Sequence, residues 1–289
     1  MKVFLLSILF FYSLLGRDVI NGTTALFEFS QLSPETTIEY ESKNIPLLSH
    51  PVNTHKKFVL VPINYRESIG DKKLILKDAK STKTLLLHVK QGEYPFENIT
   101  VTPSKVKPNK KQRKRTSREY KEAMKIYNTT RPKRYWNKPF INPLDSKITS
   151  NFGSARMFNN TLKSFHSGTD FRAKIGTPII ASNDGVVVIA KDRYYAGNSV
   201  VIDHGEGIYS CYYHLSLLHV KVGDTIKQAQ TVGLSGATGR VSGPHLHYAI
   251  MLQGVQVNPL QFHELINSLF ESAKNGANRT PIAFSFGHQ

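Results

Sequence analysis

The residues best placed to do chemistry in this 289-residue chain are histidines. There are eleven, and six fall between His166 and His247. His245 and His247 stand two apart in the apolar run 244–250. In a strand, positions i and i+2 share a face, so both imidazoles would project onto one surface. Pro244 just before them suits a strand start. His166 and Asp170 stand four apart with Gly168 between them, and either a glycine bend or one helical turn would present both inward. His214 closes another apolar run, 208–213. Such donors suit zinc, which takes nitrogen and oxygen ligands in near-tetrahedral array and, in catalytic sites, keeps one position for water. Two imidazoles and one carboxylate leave one net positive charge on the ion, which can polarise a carbonyl and acidify its water. Further histidines can move a proton or stabilise charge. Spacing alone leaves His-x-His open between a site pair and two half-buried structural residues.

The elements that must hold these residues read as strands. Short runs rich in β-branched and aromatic residues cover 178–181, 185–189, 199–203, 208–213, 217–220, 231–234 and 245–250. Turns fall at Asn183-Asp-Gly185, Ala196-Gly-Asn198, His204-Gly-Glu-Gly207, Val222-Gly-Asp224 and Gly236-Ala-Thr-Gly239. Hairpins at this density predict an antiparallel sheet or sandwich and leave no room for crossover helices. One helix is expected over 260–272, with Phe262, Leu265, Ile266, Leu269 and Phe270 as its apolar face, then a loose tail from Lys274. His204 and His219 read as structural, and Cys211 as a small buried filler.

Upstream, Lys2 and the apolar run 3–15 have the shape of a secretory signal peptide over 1–16, too short for a comfortable membrane span. The alternative is an uncleaved anchor; either way an exported, periplasmic or cell-envelope location is expected. Residues 17–102 read as a small all-β domain, with runs at 26–29, 58–63, 74–76 and 85–89. It has no ligand-like cluster, since His50, His55 and His88 are scattered. The formal net charge is +17, and 103–138 holds fourteen Lys or Arg against two Glu. This basic linker, 103–147, should carry a short helix capped at Ser117, with Tyr120, Met124 and Tyr127 as its apolar stripe. Its charge suits an anionic polymer or lipid headgroups; the plainer reading is a solvated bridge between domains. Export makes nucleic acid a poor partner. The single cysteine excludes an internal disulfide.

Taken together, His166-x-x-x-Asp170-Phe-Arg-Ala, Gly176-Thr-Pro178, Gly185-Val186, Tyr213-His-Leu-Ser216, Val220-Lys-Val-Gly223, Gly236-Ala-Thr-Gly239 and Gly243-Pro-His-Leu-His247 resemble the lysostaphin or LytM-type zinc metallopeptidases of family M23. The resemblance covers 148–260 in the right order. It implies a mainly β chain whose compact antiparallel metallopeptidase domain follows the small all-β domain, with 261–289 as helix and tail. It implies one Zn2+ held by His166, Asp170 and His247, with His214 and His245 as catalytic histidines that are not ligands. Arg156 and Asn159 match positions lining the substrate groove. Ala229 stands where many members have glycine. The implied activity is zinc-dependent cleavage of peptide bonds in bacterial peptidoglycan, as a cross-link endopeptidase or also a stem-peptide carboxypeptidase. The alternative is a non-catalytic wall-binding or amidase-activating envelope protein. A regulatory role is expected for the upstream domain, through cover of the groove.

Overall fold

The computed structural model describes residues 16–30, 32–79 and 81–271, and the backbone of 284–285. The expected signal peptide therefore lies outside the described residues, apart from Gly16. Among the described residues no helix is long and apolar enough to cross a membrane.

The amino-terminal part is built from β1 (Arg17–Ile20), β2 (Thr24–Ser30), β3 (Thr37–Tyr40), β4 (Lys43–Asn44), β5 (Leu48–Ser49), β6 (Lys56–Pro62), β7 (Gly70–Lys77) and β8 (Thr82–Lys90). Strands β1-β8-β7-β3-β4 form one sheet and β2-β6-β5 another. Alternation along β2 and β6 explains how they pack. Phe27, Phe29, Val59 and Val61 face the first sheet. Leu26, Phe58 and Leu60 point the opposite way, into the core of the carboxy-terminal half. A strand pair apolar on both faces must be covered on both, so the two halves share one buried cluster.

Strand β9 (Phe96–Ile99) leads to helix α1 (Lys110–Tyr127). The helix begins seven residues before the expected Ser117 cap. Asn109 caps it, accepting from the Gln112 amide while the Gln112 side chain accepts from the Asn109 amide. That reciprocal box satisfies two otherwise orphaned donors, and it wins over Ser117, which sits inside the helix. Ala123 and Tyr127 form its buried edge, whereas Tyr120, expected on that stripe, is 67% exposed. The segment after α1 is anchored by Trp136, fully buried between Phe58 of the first half and Phe140 and Phe270 of the second.

The second half runs β10 (Ile148–Ser150), β11 (Ala155–Phe158), β12 (Leu162–Phe165), β13 (Thr169–Arg172), β14 (Pro178–Ile180), β15 (Gly185–Arg193), β16 (Gly197–Gly205), β17 (Ile208–Leu215), β18 (Leu217–Leu218), β19 (Thr225–Ile226), β20 (Thr231–Leu234), β21 (His245–Leu252), β22 (Val255–Val257) and helix α2 (Pro259–Glu271). The main sheet has the order β10-β13-β21-β17-β16-β15-β19, with β22 added on β21. Its centre is antiparallel, as the density of turns predicts. Parallel pairing occurs in two other sheets, where β9 joins β11 in β12-β11-β9 and β1 joins β8 in the amino-terminal sheet. Leu246, Tyr248, Ile250 and Leu252 of β21 face the main core, which α2 closes with Phe262, Ile266 and Leu269. The opposite face carries Cys211, Ala249 and Met251 beneath Ala123 and Tyr127 of α1. The basic segment thus packs on the sheet. Of the expected loose tail, only β23 (Phe284–Ser285) is described, parallel to β2.

Candidate metal centre

Register brings the key residues together. On β21, His247 lies opposite Asp170 of β13 on one side and Tyr213 of β17 on the other. Directly opposed residues share a face, so the carboxylate, the imidazole and the phenol project together. Tyr213 stacks on His247, with ring centroids 5.4 Å apart and planes 6° off parallel. His166 sits in the short bend between β12 and β13. Gly168 permits that bend to lie against β21: a Cβ there would be 2.4 Å from the Tyr248 carbonyl oxygen and 2.6 Å from His247 Nε2.

Three atoms converge. His166 Nε2 is 2.9 Å from Asp170 Oδ1 and 3.0 Å from His247 Nδ1, and His247 Nδ1 is 2.9 Å from Asp170 Oδ1. All three residues are buried. Among the described residues, they are the group whose donor atoms cluster as a metal site requires. The tautomer of His166 sharpens this. Its Nδ1 is 2.8 Å from the Asn151 carbonyl oxygen, which can only accept, so Nδ1 bears the proton. That leaves Nε2 as the atom turned toward the Asp170 carboxylate oxygen. Burial drives His247 down to about 4, against the pull of Asp170. Burial pushes the Asp170 carboxyl up, but the His166 and His247 rings outweigh it and hold it well below the usual range. Neutral imidazoles and an ionised carboxylate are the ligating forms. Three donor atoms facing one point need a cation among them, a proton or a metal ion, and this donor set fits zinc.

His214 and His245 lie alongside. Their ring centroids are 4.9 Å apart, and that of His214 is 5.8 Å from that of His247. Strict alternation would send Tyr213 and His214 to opposite faces of β17. His214 escapes this with a left-handed backbone, φ 64°, a conformation costing a non-glycine residue about 1–2 kcal/mol. Leu215 then re-enters the main core. Both rings are fixed by backbone carbonyls: His214 Nδ1–H donates to Thr238 at 2.8 Å and His245 Nδ1–H to Gly243 at 2.8 Å. Each Nε2 is therefore the free nitrogen, and that of His245 lies 3.6 Å from Asp170 Oδ1. Burial, then the neighbouring His247 and His245, holds His214 well below its ordinary pKa, so it rests neutral.

Arg156, on β11, donates Nη2–H to Asp170 Oδ2 at 3.0 Å and Nε–H to Glu97 at 2.9 Å. Asn159 turns its amide to the Val101 backbone, donating to its carbonyl and accepting from its N–H. Glu97 and Ser150 escaped the sequence reading. Nothing in the spacing marks a glutamate so far upstream, and only the β9–β11 pairing brings it in. His204 is a core residue, 2.7 Å from both the Asp184 carbonyl and Ser210 Oγ, and His219 is exposed.

Comparison with known proteins gives the family of the segment that carries these residues. Residues 164–259 match the model of peptidase family M23. The peptidoglycan DD-endopeptidase ShyA of Vibrio cholerae is 48% identical over 122 residues, 41% of this chain and 28% of that protein. The DD-carboxypeptidase/endopeptidase Mpg of Neisseria meningitidis is 40% identical over 95 residues, 33% of this chain and 22% of that protein. The matched stretch thus spans less than a third of either relative. A crystal structure assigned to peptidase M23 from Pseudomonas aeruginosa superposes with TM-score 0.66 at 27% identity, covering 84% of this chain and 94% of that one. The segment that carries all five of these histidine and aspartate side chains is a peptidase family M23 domain.

Proposed function

We propose that this chain is an exported zinc peptidase that hydrolyses peptide bonds in bacterial peptidoglycan, acting in the periplasm or cell envelope. The observation carrying this reading is the convergence of His166 Nε2, Asp170 Oδ1 and His247 Nδ1, with two further imidazoles beside them. The names of the relatives favour a bond between D-residues, cut as an endopeptidase or also as a carboxypeptidase.

His166, Asp170 and His247 would hold one zinc ion. When bound, the ion supplies Lewis acidity for the scissile carbonyl and acidifies water. His214 and His245 do the proton work. Each has its Nδ1–H tied to a carbonyl, so each can take a proton only at Nε2 and return it there. Once protonated, either ring can stabilise negative charge on the carbonyl oxygen or deliver the proton to the leaving amine. Arg156 orients Asp170 through its outer oxygen and, with Asn159, marks one side of the groove. The exposed basic face of α1 suits anionic wall polymer or lipid headgroups.

The test is zinc content together with peptide release from purified peptidoglycan. His247→Ala should lose metal and activity together. His245→Ala should lose activity and keep metal, and equal metal loss in both would reject these roles. Wall binding without peptide release by the zinc-loaded protein would favour a binding or amidase-activating role. Mass spectrometry of the released muropeptides identifies the bond.

A further inference from the structure

We propose that Glu97, Ser150 and Arg156 are positioning residues of the metal centre, making strand β9, far upstream of the family domain, a working part of it. Parallel pairing of β9 with β11 sets Glu97 beside Arg156. The Glu97 carboxylate accepts from Arg156 Nε–H at 2.9 Å and from the Ser150 hydroxyl at 2.7 Å. Arg156 Nη2 donates to Ser150 Oγ at 2.9 Å and to Asp170 Oδ2 at 3.0 Å. Ser150 Oγ also lies 3.1 Å from the protonated Nδ1 of His166. One small network therefore touches two of the three metal-facing residues.

Each contact has a definite effect. Arg156 occupies the outer oxygen of Asp170 and leaves Oδ1 to face the histidine nitrogens. Without a second anion, the guanidinium charge would fall wholly on Asp170 and weaken it as a donor. Glu97 shares that charge and fixes the planar fork. It also accepts from the Ser150 hydroxyl, which leaves the Ser150 lone pairs to accept from Arg156 and to face His166 Nδ1–H. Partners of this kind orient metal ligands, and losing one typically costs about 10–100-fold in metal affinity.

The inference rests on zinc being held by His166, Asp170 and His247, and the experiment separates the two. The full-length chain is titrated with zinc against a competing chelator, as wild type, Asp170→Ala, Glu97→Gln and Arg156→Lys, with thermal melts of each metal-free protein. Glu97→Gln removes the charge and preserves the shape. It should bind zinc roughly 10–100-fold more weakly, with an unchanged metal-free melt, and Glu97→Asp should recover part of the loss. Arg156→Lys keeps the charge but cannot span Glu97, Ser150 and Asp170 at once. It should show the same loss, and it decides the matter if Glu97→Gln does not fold. Wild-type zinc affinity in a folded Glu97→Gln or Arg156→Lys protein overturns the inference. Wild-type affinity in Asp170→Ala overturns instead the underlying assignment of the metal ligands.

Discussion

Gly168→Ala tests how closely the metal centre depends on the approach of one bend to one strand. The added methyl carbon would sit 2.4 Å from the Tyr248 carbonyl oxygen and 2.6 Å from His247 Nε2. Ordinary van der Waals contact begins near 3.4 Å, so a gap of about 1 Å has to open. Neither neighbour gives easily. The Tyr248 backbone lies in the β13–β21 ladder, opposite Thr169, and His247 is stacked against Tyr213. Overpacking of this kind costs about 1–3 kcal/mol, and each kcal/mol lowers the melting temperature by roughly 2–4 °C in a chain of this size. The larger effect is on the centre. Pushing the bend off β21 separates His166 from His247, and a misplacement of ~1 Å can cost about 100-fold in rate. Gly168→Ala should therefore remain folded, melt a few degrees lower, bind zinc more weakly and lose most turnover on peptidoglycan. The measurements are calorimetry, chelator competition and muropeptide release. A variant with wild-type zinc affinity and turnover would show that the close packing of this bend is not what sets the geometry.

Four further outcomes are expected. Metal-free stability should fall with acid between about pH 6.5 and pH 4. Burial drives His204 down to about 4 and His263 to about 3. Both states are neutral above that window, and inside it only the unfolded chain takes up these protons. The loss from His204 alone approaches roughly 3 kcal/mol by pH 4; urea midpoints independent of pH across the window would contradict this. Trp136→Ala should cost about 3–5 kcal/mol, seen by calorimetry, because Trp136 fills the seam between the halves. Asn109→Ala should cost about 1 kcal/mol of local stability, seen as faster amide exchange in the first turn of α1. Ala229→Gly should be neutral to stabilising, by up to about 1 kcal/mol, because Ala229 has φ 66°; denaturant unfolding would register a loss if that strain is absent.

The strands around the centre were legible because antiparallel hairpins write themselves locally: alternation gives a face and glycine or asparagine gives a turn. The 231–234 run coincides with β20, and His245 opens β21 as the preceding proline suggests. The helix start was misread because Ser117 has the residue type of a cap, whereas the reciprocal Asn109–Gln112 bonds start the helix about two turns earlier and carry it through Ser117. His214 could be singled out, yet its reach toward His245 depends on a backbone reversal that no side-chain pattern encodes. Glu97 was hidden for a related reason. Parallel pairing between distant segments leaves no turn between them to read. The shared core was hidden as well, because alternation in β2 and β6 shows two apolar faces without saying what covers the second.

The position of α1 restricts how a polymer can thread through the molecule. The side of β21 that presents His245 and His247 continues into Ala249 and Met251, and those lie under Ala123 and Tyr127. A chain draped over the histidines meets a wall within one step in that direction. It has to leave crosswise, over neighbouring strands, or end there.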